Sequence, residues 1–344
     1  MPSARDIRRR IKSVKNIQQI TRAMKMVAAA RLRRAQERAI ASRPYTEKIR
    51  ALLASIAASA NDLAHPLLEL RDSGPDRRTG FLVLSADKGL AGPYSANLIR
   101  EAVGQIAARS AKERAVLVVA GKKGRDYFVR RGYNVLKEYT GFSEKPAYSQ
   151  AAAMAAAVAD AYLAGTFDAI YLVYTEFLSP ASFRPVTIRL LPIDYASVPE
   201  RSAGAEGGEG EGGEHGRPVG KRSGVTRDVR TGAAFPPVRP GMHQAGAAIA
   251  AAPGPAGPVA EYIFAPSAPA VLELLLPKYL ETVIFGALLQ SAAAELAART
   301  AAMSAATDNA QELITKLILN YNKVRQATIT REIAEIVGGA EALK

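Results

Sequence analysis

The chain has 344 residues, 48% of them hydrophobic, with a net charge of +14 and neither cysteine nor tryptophan. That length suffices for one large or two ordinary domains with a sizeable core. The missing cysteines exclude disulfides, thiol nucleophiles, iron–sulfur clusters and cysteine zinc sites, and fit a reducing compartment.

The placement of the charge says more than its size. Residues 1–50 hold fifteen Lys/Arg against three Asp/Glu, whereas residues 277–344 hold seven of each. Such a basic segment suits an acidic partner, whether nucleic acid, anionic lipid or protein, or forms a solvated helix face. The opening MPSARDIRRRIKSV lacks the apolar stretch of a signal peptide, which reads as a cytoplasmic protein able to dock on a membrane complex.

In chain order, Ser3 and Asp6 form an S-x-x-D capping box that starts a helix. Apolar residues follow every three or four positions: Ile7, Ile11, Val14, Ile17, Ile20, Met24 and Val27. This predicts a one-sided helical stripe, with the basic residues Arg8, Arg9, Lys12, Lys15, Arg22 and Lys25 mostly off it. From Ala28 the stripe turns small, and beyond Pro44, a candidate kink, it resumes at Ile49, Leu52, Leu53 and Ile56. The element, residues 1–60, approaches ~80 Å at the helical rise.

The middle, residues 78–199, follows a different pattern. FLVLS (81–85), AVLVVA (115–120), YNVLKEY (133–139), AIYLVYTEF (169–177) and VTIRLLPI (186–193) read as strands. Helices are expected between them at 95–108, 126–131 and 149–164. Alternation of this kind predicts a mainly parallel, Rossmann-like α/β domain. The turns GLAG and GKKG follow strands, but neither completes G-x-G-x-x-G or the P-loop pattern. The formal match at Gly208, Gly210 and Gly213 lies in a Gly/Glu tract with no strand before it. No metal spacing and no Ser/His/Asp grouping is present, so no cofactor and no catalytic residue is assigned.

Residues 200–258 hold fourteen of the 27 glycines and seven prolines. That composition predicts a flexible insertion. Residues 259–276 return to the α/β domain through EYIFAPS (261–267), read as an edge strand, and a helix at 272–276.

Residues 277–344 predict one long helix, with Pro277 starting or kinking it. At this length a helix needs a partner, and the N-terminal helix supplies it. Laid antiparallel, bulky faces bulky (Leu313, Leu317, Tyr321 and Val324 against Ile7, Ile11 and Val14) and alanine faces alanine (292–306 against 28–41) when paired numbers add to about 330. Val14 then lies opposite the turn at 316–317. Residues beyond about 330 overhang, with Ile329, Ile333, Ile336 and Val337 as an apolar tip that implies a protein around it. The fold class is thus α/β, with a long antiparallel coiled coil of the terminal helices and a Rossmann-like domain inserted between them.

A basic coiled coil that binds nucleic acid is the competing class. Against it, the basic residues are interleaved with a stripe that has a partner in the same chain, and no aromatic precedes Tyr45. An NAD-dependent enzyme fails for want of a fingerprint.

IRRRIKSVKNIQQITRAMKMVAAARLRRAQ, AARTAAMSAATDNAQELITKLILNYNKVRQATITREIAEIVGGA and the turn SADKGLAGPYSANL together resemble the γ subunit of the rotary F-type ATP synthase. The resemblance covers both terminal helices and the α/β middle, with the insertion outside it. It implies the central rotor shaft, a single copy without catalytic residues. Its partners would be three α and three β subunits, the ε subunit and a membrane c-ring. Neither nucleic acid nor a small-molecule substrate would bind it, and it would lie peripherally on the cytoplasmic face of a bacterial membrane. Proton- or sodium-driven turning of the ring would be coupled to ATP synthesis or hydrolysis on the β subunits.

By the same resemblance, Arg325, Gln326 and Thr330 match positions that contact a β-subunit loop, Ile333 and Ile336 belong to the end held in an apolar bearing, and Arg8, Arg9 and Lys12 face an acidic β loop. Ala91 and Pro93 depart from the family's turn. Chloroplast relatives carry a redox-active cysteine pair after LLPI; with no cysteine here, dithiol switching is excluded. A brake on rotation, or a contact with ε, is the role the insertion's location suggests; a tolerated loop expansion without a role is the equal alternative.

Overall fold

The computed structural model describes residues 4–59, 65–69, 71, 77–193 and 268–341. The insertion at 200–258 and the edge strand expected at 261–267 lie outside them.

Helix α1 runs Ala4–Ser59 and passes through Pro44 without ending. Its buried and half-buried line is Ile7, Ile11, Val14, Gln18, Thr21, Ala28, Leu32, Ala35, Ala39, Ser42, Thr46, Ile49, Leu53 and Ile56. The steps alternate four and three, a strict heptad in which only position 25 is exposed. Here the structure corrects the expected stripe. The line Ile17–Ile20–Met24–Val27 advances too slowly to stay on a 3.5-residue seam, so Ile17 (52% exposed), Ile20 (59%) and Val27 (53%) face outward, and of the four Met24 alone is half-buried. Gln18 and Thr21 take the seam instead.

Helix α5, Ala268–Glu341, is a single helix of 74 residues with Pro277 inside it, about 110 Å long at 1.5 Å per residue. The helix expected at 272–276 is its first part, and Pro277 does not start a separate one. Its seam against α1 is Met303, Thr307, Ala310, Ile314, Leu317, Tyr321, Val324 and Thr328, again in steps of four and three. Leu313, placed in the seam by the sequence, is 39% exposed, and its neighbour Ile314 is buried.

The helices are antiparallel. Arg8 meets Tyr321, Gln18 meets Gln311, Thr21 meets Thr307 and Lys25 meets Ser304, pairs whose numbers add to 328 or 329. Val14 packs with Ala310, Ile314 and Leu317. Farther down, Leu32 and Ala35 lie on Ala293, Leu296 and Ala297.

Between the helices stands a five-stranded sheet in the order β3-β2-β1-β4-β5, built from β1 (Thr79–Leu84), β2 (Ala115–Ala120), β3 (Asn134–Tyr139), β4 (Ala169–Ser179) and β5 (Ser182–Leu191). β3, β2, β1 and β4 are parallel, and β5 closes one edge antiparallel to β4. Every residue of β1 and β2 is buried, as expected where helices cover both faces. Helices α2 (Tyr94–Arg109) and α3 (Lys122–Arg130) cover one face through Leu98, Ala102, Ile106 and Phe128 against Phe81 and Val83. On the other, α4 (Tyr148–Leu163) and the lower part of α5 pack Met154, Val158, Leu280 and Ile284 against Leu82, Leu84 and Leu172. Ile49, Leu53 and Ile56 of α1 join that core. The shaft helix is therefore also a layer of the α/β domain.

Candidate functional site

In an open parallel sheet the natural ligand site is the crevice at the carboxyl ends of the strands where the strand order reverses. In this sheet that point lies between β1 and β4. It is filled by α5. Ala86, just after β1, together with Ala91 and Tyr94, packs on Ala294 and Ala298 of α5, with Phe177 and Phe183 of the β4–β5 hairpin alongside. The Thr175 N–H donates to Ser291 Oγ at 3.4 Å. The Tyr94 hydroxyl donates to the Ser291 carbonyl at 3.2 Å, and burial pushes its phenol well above the usual range. Residues 291–299 of α5 are all buried. Small side chains let the helix backbone approach the strand ends closely, which is why this stretch is alanine-rich.

The turns that resembled phosphate loops have other work. Gly121 sits at φ +94°, and a Cβ there would lie 2.1 Å from the Ser85 carbonyl oxygen. A Cβ on Gly124 would lie 2.6 Å from Ser85 Oγ. The Gly124 N–H donates to that hydroxyl at 2.9 Å, and the hydroxyl donates to the Ala120 carbonyl at 2.8 Å. The GKKG glycines thus admit the serine that follows β1, not an anion.

Asp87, in the SADKGLAG turn, accepts the N–H groups of Lys122, Gly141 and Ser143 at 3.1, 2.9 and 2.9 Å. Burial raises its pKa. The N–H groups of Gly141, Ser143 and Lys122, with the Ser143 hydroxyl, more than offset this and hold the carboxyl below its ordinary value. One carboxylate staples three loops at the strand ends.

Along the shaft the sequence-assigned residues fall as follows. Ile7 and Val14 are buried, and Ile11, Leu317 and Val324 half-buried. Arg8 is exposed yet engaged. Its Nη2 donates to Tyr321 Oη at 2.6 Å, with the guanidinium 5.5 Å from the ring centre, so it ties the two helices together. Arg9 and Lys12 are exposed on the same helix. Arg325, Gln326 and Thr330 are exposed on α5, where the Thr330 hydroxyl donates to the Gln326 carbonyl at 3.0 Å. Residues 329–340, with Ile329, Ile333, Ile336 and Val337, are exposed throughout; α1 ends too early to cover them.

Two features escaped the sequence reading. One is the occupied crevice. The other is a buried charged cluster around Glu144, Glu295 and Arg299; its one signal was the E-x-x-x-R spacing inside an otherwise alanine-rich run. Among the described residues no group of three His, Cys, Asp or Glu side chains is placed to hold a metal, and no helix is long and apolar enough to cross a membrane.

An α/β domain whose ligand crevice is closed by its own helix, drawn out into a coiled coil with a bare apolar tip, is a structural subunit of a larger machine. The sequence profile of the family described as ATP synthase matches residues 3–343. The chain is 42% identical over 344 residues to the ATP synthase gamma chain of Desulforamulus reducens, with 100% of both chains covered. To that of Heliobacterium modesticaldum it is 42% identical over 343 residues, again with 100% of both covered. To that of Brevibacillus brevis it is 38% identical over 339 residues, with 98% of each covered. Among solved structures, a chain of the Tetrahymena thermophila mitochondrial ATP synthase central stalk and c-ring superposes with a TM-score of 0.52 at 18% identity, covering 83% of this chain and 99% of that one. A chain of the Euglena gracilis mitochondrial ATP synthase gives 0.58 at 16% identity, covering 99% and 94%; both show the shared fold. The chain belongs to the ATP synthase gamma chain family, the non-catalytic central-stalk rotor of the F-type enzyme. The first two alignments span the whole chain, so residues 200–258, set outside the resemblance by the sequence reading, lie within the aligned length.

Proposed function

We propose that the chain is the shaft through which ion-driven turning of a membrane c-ring is coupled to ATP synthesis or hydrolysis on β subunits. The observation that carries this reading is the end of α5: twelve successive exposed residues, 329–340, with Ile329, Ile333, Ile336 and Val337 among them and no helix alongside among the described residues. An apolar end of this kind needs a sleeve. A cylinder of three α and three β subunits supplies one, with Arg325, Gln326 and Thr330 near its mouth against a β-subunit loop. The α/β domain is the foot on the c-ring, with the ε subunit beside it, and one copy serves each assembly.

Arg9 and Lys12 extend outward where an acidic β loop would pass. Arg8 serves a double role, since Tyr321 already holds it. Rotation presents different faces of an asymmetric shaft to each β subunit in turn, so each catalytic site is biased by differential contact, reciprocally with the rotor's angle. The subunit sits peripherally on the cytoplasmic face of a bacterial membrane, which the bacterial relatives support.

Native mass spectrometry of the tagged chain, purified from its host in detergent, tests this. One copy with three copies each of two larger nucleotide-binding subunits is the expected result. A free chain, or one retained only by nuclease-sensitive material, would overturn it.

A further inference from the structure

The loop between β3 and α4, residues 140–147, carries one carboxylate on which three other segments converge. Arg299 of α5 donates from Nη1 to Glu144 Oε1 at 2.8 Å. Lys88, in the turn after β1, donates to Glu144 Oε2 at 3.0 Å, and Arg31 of α1 donates to that same oxygen. Arg299 turns its Nη2 to Glu295 Oε1, one helical turn earlier, at 2.6 Å and to the Gly89 carbonyl at 3.2 Å. Arg299 and Glu295 are 5% and 1% exposed. Burial holds the Glu295 carboxyl above its usual value, although Arg299 and the Ser143 hydroxyl pull it down. Both shaft helices and two foot loops thus meet at Glu144.

Stability alone is a poor account of this cluster. Buried ion pairs are often no better than well-packed apolar side chains of similar volume. What they supply is direction. The foot meets the shaft here through alanines (Ala86 and Ala91 on Ala294 and Ala298) with Tyr94, Phe177 and Phe183 beside them, and apolar contact is non-directional, so it opposes separation more than sliding. A planar guanidinium held on both sides by carboxylates fixes orientation as well as distance.

We propose that Glu144 is a positioning residue of the rotor, a key that fixes the angle of the foot against both shaft helices so that torque crosses the joint with little give. The proposal rests on the rotor reading above. Its test is the torsional stiffness of the assembled enzyme: the catalytic sites are locked by inhibitor, a probe is fixed to the foot, and its angular variance is recorded. Charge-assisted hydrogen bonds are roughly twice as strong as neutral ones, so Glu144→Gln is expected to raise the variance above the parent's, and Glu144→Asp to raise it less. Subunit content and ATP hydrolysis by the detergent-released head stay at the parent level, which separates a joint from a general folding defect. Unchanged variance in an assembled Glu144→Gln enzyme overturns the proposal. If that variant does not assemble, Arg31→Gln, which changes a half-exposed partner, decides the matter by the same reading. Failure of the parent chain itself to assemble with a head and a ring would instead overturn the rotor reading.

Discussion

Thr21 Oγ1 and Thr307 Oγ1 stand 2.9 Å apart across the seam of the shaft, each at a heptad position where a coiled coil ordinarily carries an aliphatic side chain. Each hydroxyl also meets a carbonyl of its own helix, Gln18 at 3.0 Å and Met303 at 2.8 Å. Two protons serve these three contacts, so one hydroxyl accepts from the other; removing half of the pair leaves the remaining hydroxyl its own helix carbonyl and turns its free lone pairs onto a methyl group in the seam. Thr21→Val alone is expected to cost about 1 kcal/mol, and Thr21→Val with Thr307→Val to return close to the parent. Denaturant midpoints of the four chains of this cycle measure it; equal costs for the single and the double change would contradict it.

Two glycines of the foot should respond in opposite senses to alanine. At Gly121 the left-handed φ and the 2.1 Å overlap with the Ser85 carbonyl leave no room, and Gly121→Ala is expected to destabilise by roughly 3 kcal/mol or more. Gly104, inside α2, has nothing within 4 Å of the position a methyl group would take, so Gly104→Ala is expected to stabilise by about 0.5–1 kcal/mol. Thermal unfolding of the two variants gives both signs in one comparison.

The foot carries two carboxyls whose contributions run in opposite directions with pH. Asp87 is held below its ordinary value of 3.8. Its contribution is therefore complete above that value and is lost as pH falls through the depressed one. Glu295 is held above its ordinary value of 4.5, so the fold loses stability as pH rises from there through the raised value. Asp87→Asn should lower stability at neutral pH and converge on the parent in acid. Glu295→Gln should flatten the decline above pH 4.5. Unfolding free energies measured against pH for the parent and both variants test the signs; an Asp87→Asn difference that grows in acid would refute the staple.

The exposed tip divides stability from assembly. Ile333 and Ile336 are 56% and 72% exposed, so changing both to Asp uncovers little apolar surface within the described residues. Unfolding of the chain alone should shift by less than about 0.5 kcal/mol. Co-purification with the α and β subunits should fall. A variant that assembles fully would mean the bearing does not rely on these side chains.

Much of the fold was legible because its signals were local. Each of the strands at 81–85, 115–120, 133–139 and 169–177 is a short β-branched or apolar run beside a turn, and each is found in the sheet within two residues of those bounds. The seam was only partly legible. After Val14 the chain offers apolar Ile17 and Ile20 beside polar Gln18 and Thr21, and hydrophobicity points to the former. The heptad, continued from Ile7 through Ala28 and Leu32, points to the latter, and a long two-helix contact obeys the period. Leu313 and Ile314 posed the same choice. The filled crevice was not legible, since it depends on α5 crossing the sheet far along the chain from β1, and alanines announce close approach without saying to what.

The unbroken heptads have one more consequence. A strict seven-residue repeat winds two helices into a left-handed rope, and a rope resists torsion differently in its two senses, tightening in one and opening in the other. In the proposed coupling, with the foot on the ring and the tip in the head, reversing the motor does not load that rope both ways. When the foot drives, the tip lags behind it; when the tip drives in the opposite direction, the foot lags. In both cases the tip is displaced relative to the foot in the same sense. The winding of this shaft therefore always meets strain of a single hand, and one chirality serves both directions of turning.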